Sequence, residues 1–426
     1  MTKKLPQKLD LLIITTNFCR ADEERTPYGV SCLVNAFRRG ESAKSGRIRS
    51  FTYDLNRHFD NETGKFKINF KKIARFLARK IVKSGCNVVA FSTFAWSDLI
   101  FTKTMAILAR RKNHPLIVLG GPMVIGSLAE LQGLYPHADF FIESYGEKVF
   151  ANLREYLLQA HEGGSRLIKD LPVFEELVSP YFSNLIKIEK GMSVRMELRR
   201  GCLFNCAFCR HRNPEKKVFC VDCAQNHQRE LMLFKEKQVG KINVLDPYFN
   251  DVRPEFKEIS RAFLQNVRDL QIDTKISLQI RPEMLDDEYL NIAQTMPNLI
   301  FEIGIQSLDD AVIAKINRGG KDTRKKVLEK LAEVARRKIT SEITLIYGLP
   351  LQTAKSFASD IATLTSLGFS KISAFPLQIY RGTELFSTYR KFGLKTRLNE
   401  IGILEVCDNP TRDFAKMRAI ATNLKN

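Results

Sequence analysis

A chain of 426 residues with 44% hydrophobic and 27% charged residues has the composition of an ordinary globular protein and the length for two or three domains. Its formal charge of +20 favours acidic partners such as nucleic acid, a phosphorylated substrate or an anionic membrane surface. The absence of any run of about 18 apolar residues argues against a membrane span or membrane partner, and nine cysteines in so long a chain do not form a disulfide framework but fit a reducing cytoplasm.

From the N-terminus, Met1-Thr2-Lys3-Lys4-Leu5-Pro6 leads straight into a strand-like run, without the layout of a signal peptide. Over the first 160 residues strand and helix patterns alternate. Strands are expected at Leu9–Thr15, Ile48–Asp54, Val88–Ser92, Leu116–Leu119 and Asp139–Ile142. Helices are expected at Tyr28–Arg39, Phe66–Ser84, Asp98–Arg111 and from Glu147 onward. Such alternation with apolar strands predicts a parallel, doubly wound sheet. The densest basic stretch, Lys65 to Lys80, interleaves Lys and Arg with Phe and Ile. It reads as the solvated face of an amphipathic helix, and since the other cations are spread along the chain, nucleic acid is the weaker expectation for a partner.

Residues 161–192, with Gly163-Gly164-Ser165, Pro172 and Ser179-Pro180-Tyr181, read as a linker. A second alternating series follows. Its strands are expected at Val194–Leu198, Ile242–Leu245, Lys275–Gln279, Leu299–Ile305, Ser341–Ile346 and Ile372–Phe375. Six strand–helix units over residues 193–388 predict a partial (β/α)6 barrel, whose ligands belong at the C-terminal ends of the strands. Residues 389–426 form a short C-terminal segment that matches no pattern.

The sharpest motif follows the first strand of this second series. Cys202, Cys206 and Cys209 stand in Arg199-Arg200-Gly201-Cys202-Leu203-Phe204-Asn205-Cys206-Ala207-Phe208-Cys209, a C-x3-C-x2-C spacing. Three thiolates within eight residues suit three corners of a cubane iron–sulfur cluster and leave one iron open to a small chelating ligand. A zinc site would pair C-x2-C units or add histidine.

With these cysteines, the chain from about residue 8 to about residue 388 resembles the cobalamin-binding subfamily of radical S-adenosylmethionine (SAM) enzymes. The likeness rests on further landmarks in order: Val244-Leu245-Asp246, Gln279-Ile280-Arg281-Pro282, Phe301-Glu302-Ile303-Gly304-Ile305-Gln306-Ser307 with Ile316-Asn317-Arg318-Gly319, Tyr347-Gly348-Leu349-Pro350, and Tyr380-Arg381-Gly382-Thr383-Glu384-Leu385. The resemblance implies a [4Fe-4S] cluster on Cys202, Cys206 and Cys209. It implies SAM contacts from Phe208, Asp246, Arg281, Glu302, Gln306 and Gly348, the last by letting the backbone approach adenine. Taken alone, Glu302 reads equally as a paired core carboxylate and Arg281 as a structural ion pair. In residues 1–160 the resemblance implies a Rossmann-like cobalamin-binding domain, with Ser92 and Gly120-Gly121 against the cofactor. The histidine-bearing Asp-x-His-x-x-Gly motif of such domains is absent; Thr15-Thr16-Asn17-Phe18-Cys19-Arg20 stands there. The lone tryptophan, Trp96, reads either as a wall of the corrin face or as a core residue.

The implied reaction is reductive cleavage of SAM to a 5′-deoxyadenosyl radical, with cobalamin-dependent C-methylation of a small-molecule or peptide substrate. A one-electron donor such as flavodoxin or ferredoxin is implied as partner. Two alternatives stay open: a cobalamin-independent mutase, dehydratase or epimerase, and RNA modification like that of transfer-RNA methylthiotransferases. Cys220 and Cys223, a C-x2-C pair, and Cys407 read as structural thiols, metal ligands or hydrogen-atom donors.

Overall fold

The computed structural model describes residues 5–211, 217–221, 225–319 and 323–424. The chain divides into two compact units. The first is Met1–Lys187 with Asn399–Ile403, and the second is Ile188–Leu398 with Leu404–Asn426.

The first unit is built on six parallel strands: β1 (Leu9–Asn17), β2 (Gly46–Asp54), β3 (Val88–Ser92), β4 (Leu116–Gly120), β5 (Phe140–Glu143) and β6 (Leu167–Lys169). Their spatial order is β2-β1-β3-β4-β5-β6. The order reverses between β1 and β3, which opens a crevice at the C-terminal ends of those two strands. The strands are apolar on both faces because helices cover both. Alternate side chains feed two cores. Leu12, Ile14, Val89, Phe91, Ile117 and Leu119 meet Ile73, Leu77 and Phe101 on one side. Leu11, Ile13, Val88, Ala90 and Val118 meet Val34, Phe37 and Leu153 on the other.

The basic helix runs from Phe70 to Ser84. Asn69 caps it by accepting from Lys72 N at 2.9 Å, and Gly85, at φ 67°, ends it in the left-handed region. Its Ile73, Ala74, Leu77, Ala78 and Ile81 are buried while Lys71, Lys72, Arg75, Arg79 and Lys83 are exposed. It starts four residues later than the sequence pattern indicates because Lys65–Phe66 pairs with Phe59–Asp60 as a small hairpin.

The second unit carries β7 (Ser193–Met196), β8 (Lys241–Val244), β9 (Lys275–Ile280), β10 (Leu299–Gln306), β11 (Ser341–Tyr347) and β12 (Ile372–Pro376). All are parallel, and each neighbours its predecessor in chain order. The result is a curved, open six-stranded sheet, the partial barrel. Connecting helices bury one apolar stripe each, such as Phe263, Leu264 and Val267 or Val327, Leu331 and Val334.

Two segments carry more structure than the sequence pattern gives them. Residues 161–192 are not only a crossing segment: they contribute β6, which is three residues long and too short to show a period. Residues 389–426 supply the hairpin Lys395–Leu398 with Leu404–Asp408 and the helix Phe414–Asn423. Phe414 packs its ring 5.4 Å from that of Tyr347 at the end of β11. Among the described residues no helix is long and apolar enough to cross a membrane.

Candidate active site

The cysteine loop leaves the barrel through a tight backbone crossing. Arg199–Gly201 pairs antiparallel with Val218–Cys220. Gly201 has φ +96°, and a Cβ there would lie 2.3 Å from Lys217 O, so only glycine fits. Behind the loop, Asp246 is fully buried. Its Oδ1 accepts from Leu198 N at 2.8 Å and Arg199 N at 3.1 Å, and its Oδ2 accepts from Arg199 Nε at 2.8 Å. The loop is also tied to two distant segments. Ala207 N donates to Ile316 O and Leu385 N to Ala207 O, each at 2.8 Å. Asn317 Nδ2 donates to Asn205 O at 3.0 Å and Arg210 Nη1 to Arg381 O at 2.7 Å.

Cys202, Cys206 and Cys209 border a cavity of about 220 Å³ at the C-terminal ends of β8 to β10, together with Phe204, Phe208, Gln279, Arg281, Gln306 and Arg318. Among the described residues no group of three His, Cys, Asp or Glu is gathered closely enough for a single metal ion. The three cysteines share that one cavity lining. Burial, chiefly, pushes the Cys202 thiol up to about 11, and the neighbouring Cys209 and Cys206 add to the rise. Metal binding here therefore displaces protons.

The cavity wall is charged. Arg281 is buried, donates to Glu283 Oε1 from Nε at 2.7 Å and to Arg318 O from Nη2 at 2.8 Å, and lies 3.5 Å over the Phe204 ring. Its Nη1 is 3.7 Å from Cys206 Sγ, and Arg318 Nη1 is 3.8 Å from the same sulfur. Burial opposes the charge of Arg281, but Glu283 and Cys206 hold its pKa above the ordinary value. Arg318 is pressed below its ordinary value by burial first and by Arg281 second. Gln306 closes β10 at a bulge with φ +64°. Its amide packs over Gly304, where a Cβ would lie 2.7 Å from Gln306 Nε2. Gln306 Oε1 and, in the cysteine loop, Asn205 Oδ1 are buried without a hydrogen-bond partner among the described residues. Such orphan acceptors cost stability unless something meets them.

Of the residues the sequence assigns to SAM, the structure brings Phe208, Arg281 and Gln306 to the cavity with the cysteines. Asp246 is spent on Arg199. Glu302 takes a hydrogen bond from Gln279 and faces Lys241 Nζ at 3.6 Å, a paired carboxylate. Gly348, at φ +84°, has the Phe414 ring 2.8 Å from where a Cβ would stand. Arg318, Phe204 and Glu283 are site residues that sequence reasoning passed over. The signal for Arg318 was its place in Ile316-Asn317-Arg318-Gly319; for the others there was none.

In the first unit, Ser92 and Gly120 are register partners at the C-terminal sheet edge. A Cβ on Gly120 would make only ordinary contact with Ile142, whereas one on Gly121, at φ +95°, would lie 2.7 Å from Thr93 N and 2.8 Å from Thr93 O. Beyond the C-terminal ends of β1 and β3, Trp96 stacks on Phe94, meets the Phe18 ring edge-on and donates from Nε1 to Thr16 O at 3.0 Å. Thr15 Oγ1 and Thr16 Oγ1 are buried without a partner among the described residues. Among the other thiols, Cys32 and Cys86 are buried, Cys19 Sγ donates to Arg25 O at 3.6 Å and Cys407 Sγ to Lys395 O at 3.6 Å. Cys220 is half-buried in its hairpin, and Cys223 lies outside the described residues.

Against known proteins, the Radical SAM superfamily profile matches residues 196–362. The chain is 25% identical over 315 residues to 2-(S-pantetheinyl)-carbapenam-3-carboxylate methyltransferase of Streptantibioticus cattleyicolor, covering 66% of this chain and 45% of that protein. It is 24% identical over 312 residues to the cobalamin-dependent radical SAM methyltransferase TokK of Streptomyces tokunonensis, again covering 66% and 45%. The chain thus spans less than half the length of these two relatives. The solved structure of OxsB, a cobalamin-dependent SAM radical enzyme with aqua-cobalamin and SAM bound, aligns over 98% of this chain and 67% of its own, with a TM-score of 0.67 at 13% identity. That likeness extends the shared fold across both units.

Proposed function

We propose, on the premise that residues 196–362 form a radical SAM domain, that the chain cleaves SAM reductively at a [4Fe-4S] cluster and, with cobalamin, methylates a carbon of a small-molecule or peptide substrate. The observation that carries the first part is the meeting of Cys202, Cys206 and Cys209 around one cavity walled by Phe208, Arg281 and Gln306. When bound, the cluster would supply the electron that splits SAM into methionine and a 5′-deoxyadenosyl radical, and cobalamin would supply the methyl group.

The chain's own residues have separate tasks. The three thiols lose their protons to hold iron. Gln306 Oε1, an acceptor with no donor among the described residues, would take a hydrogen bond from an ammonium or hydroxyl of SAM. Phe208 and Phe204 keep water from the cavity. Asp246, Glu302 and Gly348 act from behind it: the Asp246–Arg199 pair fixes the root of the cysteine loop, Glu302 fixes Gln279, and Gly348 seats Phe414.

For cobalamin, support comes from the sheet order with its β1/β3 crevice, the small residues Ser92 and Gly120 at its rim, and the orphan hydroxyls of Thr15 and Thr16. The names of the relatives, both methyltransferases and one cobalamin-dependent, favour methyl transfer over the cobalamin-independent outcomes. A flavodoxin- or ferredoxin-like donor and the reducing cytoplasm complete the reading.

The test is anaerobic reconstitution with iron, sulfide and cobalamin, then addition of SAM and a strong one-electron reductant. Formation of 5′-deoxyadenosine that disappears in the Cys202→Ala, Cys206→Ala, Cys209→Ala triple variant supports the assignment. A protein that binds no iron, or a triple variant that still turns over, overturns it. Retention of corrin through gel filtration tests the cobalamin part separately.

A further inference from the structure

The three cysteines have unequal surroundings. Cys202 Sγ accepts from Phe204 N at 3.5 Å and Cys209 Sγ from His211 N at 3.4 Å. Cys206 Sγ instead faces two guanidinium groups, Arg281 Nη1 at 3.7 Å and Arg318 Nη1 at 3.8 Å. Two cations held this near one atom repel each other unless negative charge is shared between them. Glu283 supplies one carboxylate, bonded to Arg281. Arg318 has the carbonyl of Gly304 and the sulfur as acceptors. Arg281 Nη2 also donates to Arg318 O at 2.8 Å, which locks the two arginines into one unit.

We propose that Arg281 and Arg318 form a charge clamp on Cys206 that sets the reduction potential of the iron–sulfur cluster, with Glu283 as its counterweight. They are positioning residues acting through the thiolate. The proposal rests on the cluster assignment above. The tuned step is a one-electron reduction: a ferredoxin- or flavodoxin-class donor loses an electron, the cluster gains it, and no bond forms or breaks. Reduction adds negative charge, so a nearby cation favours the reduced state, and hydrogen bonds to the sulfurs act the same way. The clamp therefore raises the potential, and Glu283 lowers it by neutralising part of the clamp.

The experiment is a redox titration of the reconstituted full chain, without SAM, followed by electron paramagnetic resonance. Iron and sulfide content and melting temperature are recorded for each variant. Arg318→Gln and Arg281→Gln should each lower the reduced-to-oxidised ratio at a fixed solution potential by roughly tenfold, about 59 mV for a one-electron couple. Arg318→Lys should recover part of that shift. Glu283→Gln should move the potential the opposite way, to more positive values, which general damage to the site would not produce. Unmoved potentials in cluster-loaded arginine variants overturn the clamp. If the arginine variants do not load a cluster, Glu283→Gln decides alone, and a potential that is unmoved or more negative overturns it. A wild-type chain that binds no iron and sulfide sinks the underlying assignment instead.

Discussion

Both units end in a parallel sheet whose C-terminal edge is the natural ligand edge, yet the two edges are chemically opposite. The barrel mouth gathers thiols and two arginines around a cavity, with Glu283 bonded to Arg281, and it leaves Gln306 Oε1 without a donor among the described residues. The edge of the first unit gathers the rings of Phe18, Phe94 and Trp96, with Trp96 Nε1 donating to Thr16 O at the end of β1. Topology gives both sheets a binding edge; side chains decide what it binds. A charged mouth suits an iron–sulfur cluster and a zwitterionic sulfonium. An aromatic rim suits a large flat macrocycle held chiefly by shape.

The sharpest way to break this contrast is to remove one corner of the charged mouth. Cys206→Ala should abolish 5′-deoxyadenosine formation by several orders of magnitude, since a transition-state effect of even a few kcal/mol is a factor of hundreds. Corrin retention by the first unit should be unaffected, as measured by gel filtration and absorbance. Loss of both together would show that the two edges do not bind independently.

Next in size is the buried ion pair under the cysteine loop. Asp246→Ala strands the Arg199 guanidinium, which is 2% exposed, and removes the acceptor for Leu198 N and Arg199 N. Breaking such a pair costs about 3–5 kcal/mol, read as a lowered denaturation midpoint of the second unit and lost iron. The comparable defect in the first unit is steric. Gly121→Val would press a side chain into the Thr93 backbone at positive φ, a cost on the order of 1–3 kcal/mol, and should loosen corrin while leaving iron content intact.

How much of this was legible follows from the same contrast. Every strand expected of the two sheets is present, because parallel strands buried on both faces are apolar runs and need no long-range information. The cysteines were legible because their ligand spacing is local. What local sequence does not carry is long-range. Asp246 has the residue type and strand-end position of a ligand contact, and nothing local tells that Arg199, 47 residues earlier, claims it. Nothing near Gly348 in the sequence tells that helix Phe414–Asn423 brings Phe414 beside it. Arg318 and Arg281 converge on Cys206 from 112 and 75 residues away, a meeting only the folded barrel supplies.

A smaller effect comes from a carboxyl behind the mouth. Asp360 is buried on helix Ala354–Ser366 and accepts from Ser307 Oγ at 2.8 Å, just past Gln306. Burial, chiefly, pushes its pKa up to about 6 from 3.8, against the lowering effect of its hydrogen bonds. Between pH 4 and 6 the folded state therefore holds a proton that the unfolded state has released. Stability falls as pH rises through that window and levels off above it. The penalty at neutral pH is at most about 3 kcal/mol for a shift of this size. Asp360→Asn, which keeps an acceptor for Ser307, should remove this component and raise the melting temperature at pH 7 more than at pH 4.5. Equal shifts at both pH values would contradict it.

The smallest expected signal is the most direct probe of the aromatic edge. Trp96 is the chain's single tryptophan, and it stacks on Phe94 with ring centroids 4.9 Å apart and planes 5° from parallel. Because it stands beyond the C-terminal ends of β1 and β3, a corrin bound there should quench most of the protein's tryptophan fluorescence, saturably and with one site per chain. Trp96→Phe keeps the stack but loses the bond to Thr16 O, so it should weaken corrin binding only a few-fold, in line with about 1 kcal/mol for one hydrogen bond. Iron content and SAM cleavage should stay at wild-type levels. Corrin that binds without quenching would place the macrocycle away from Trp96, and the aromatic rim would then be core packing rather than a wall of the cofactor site.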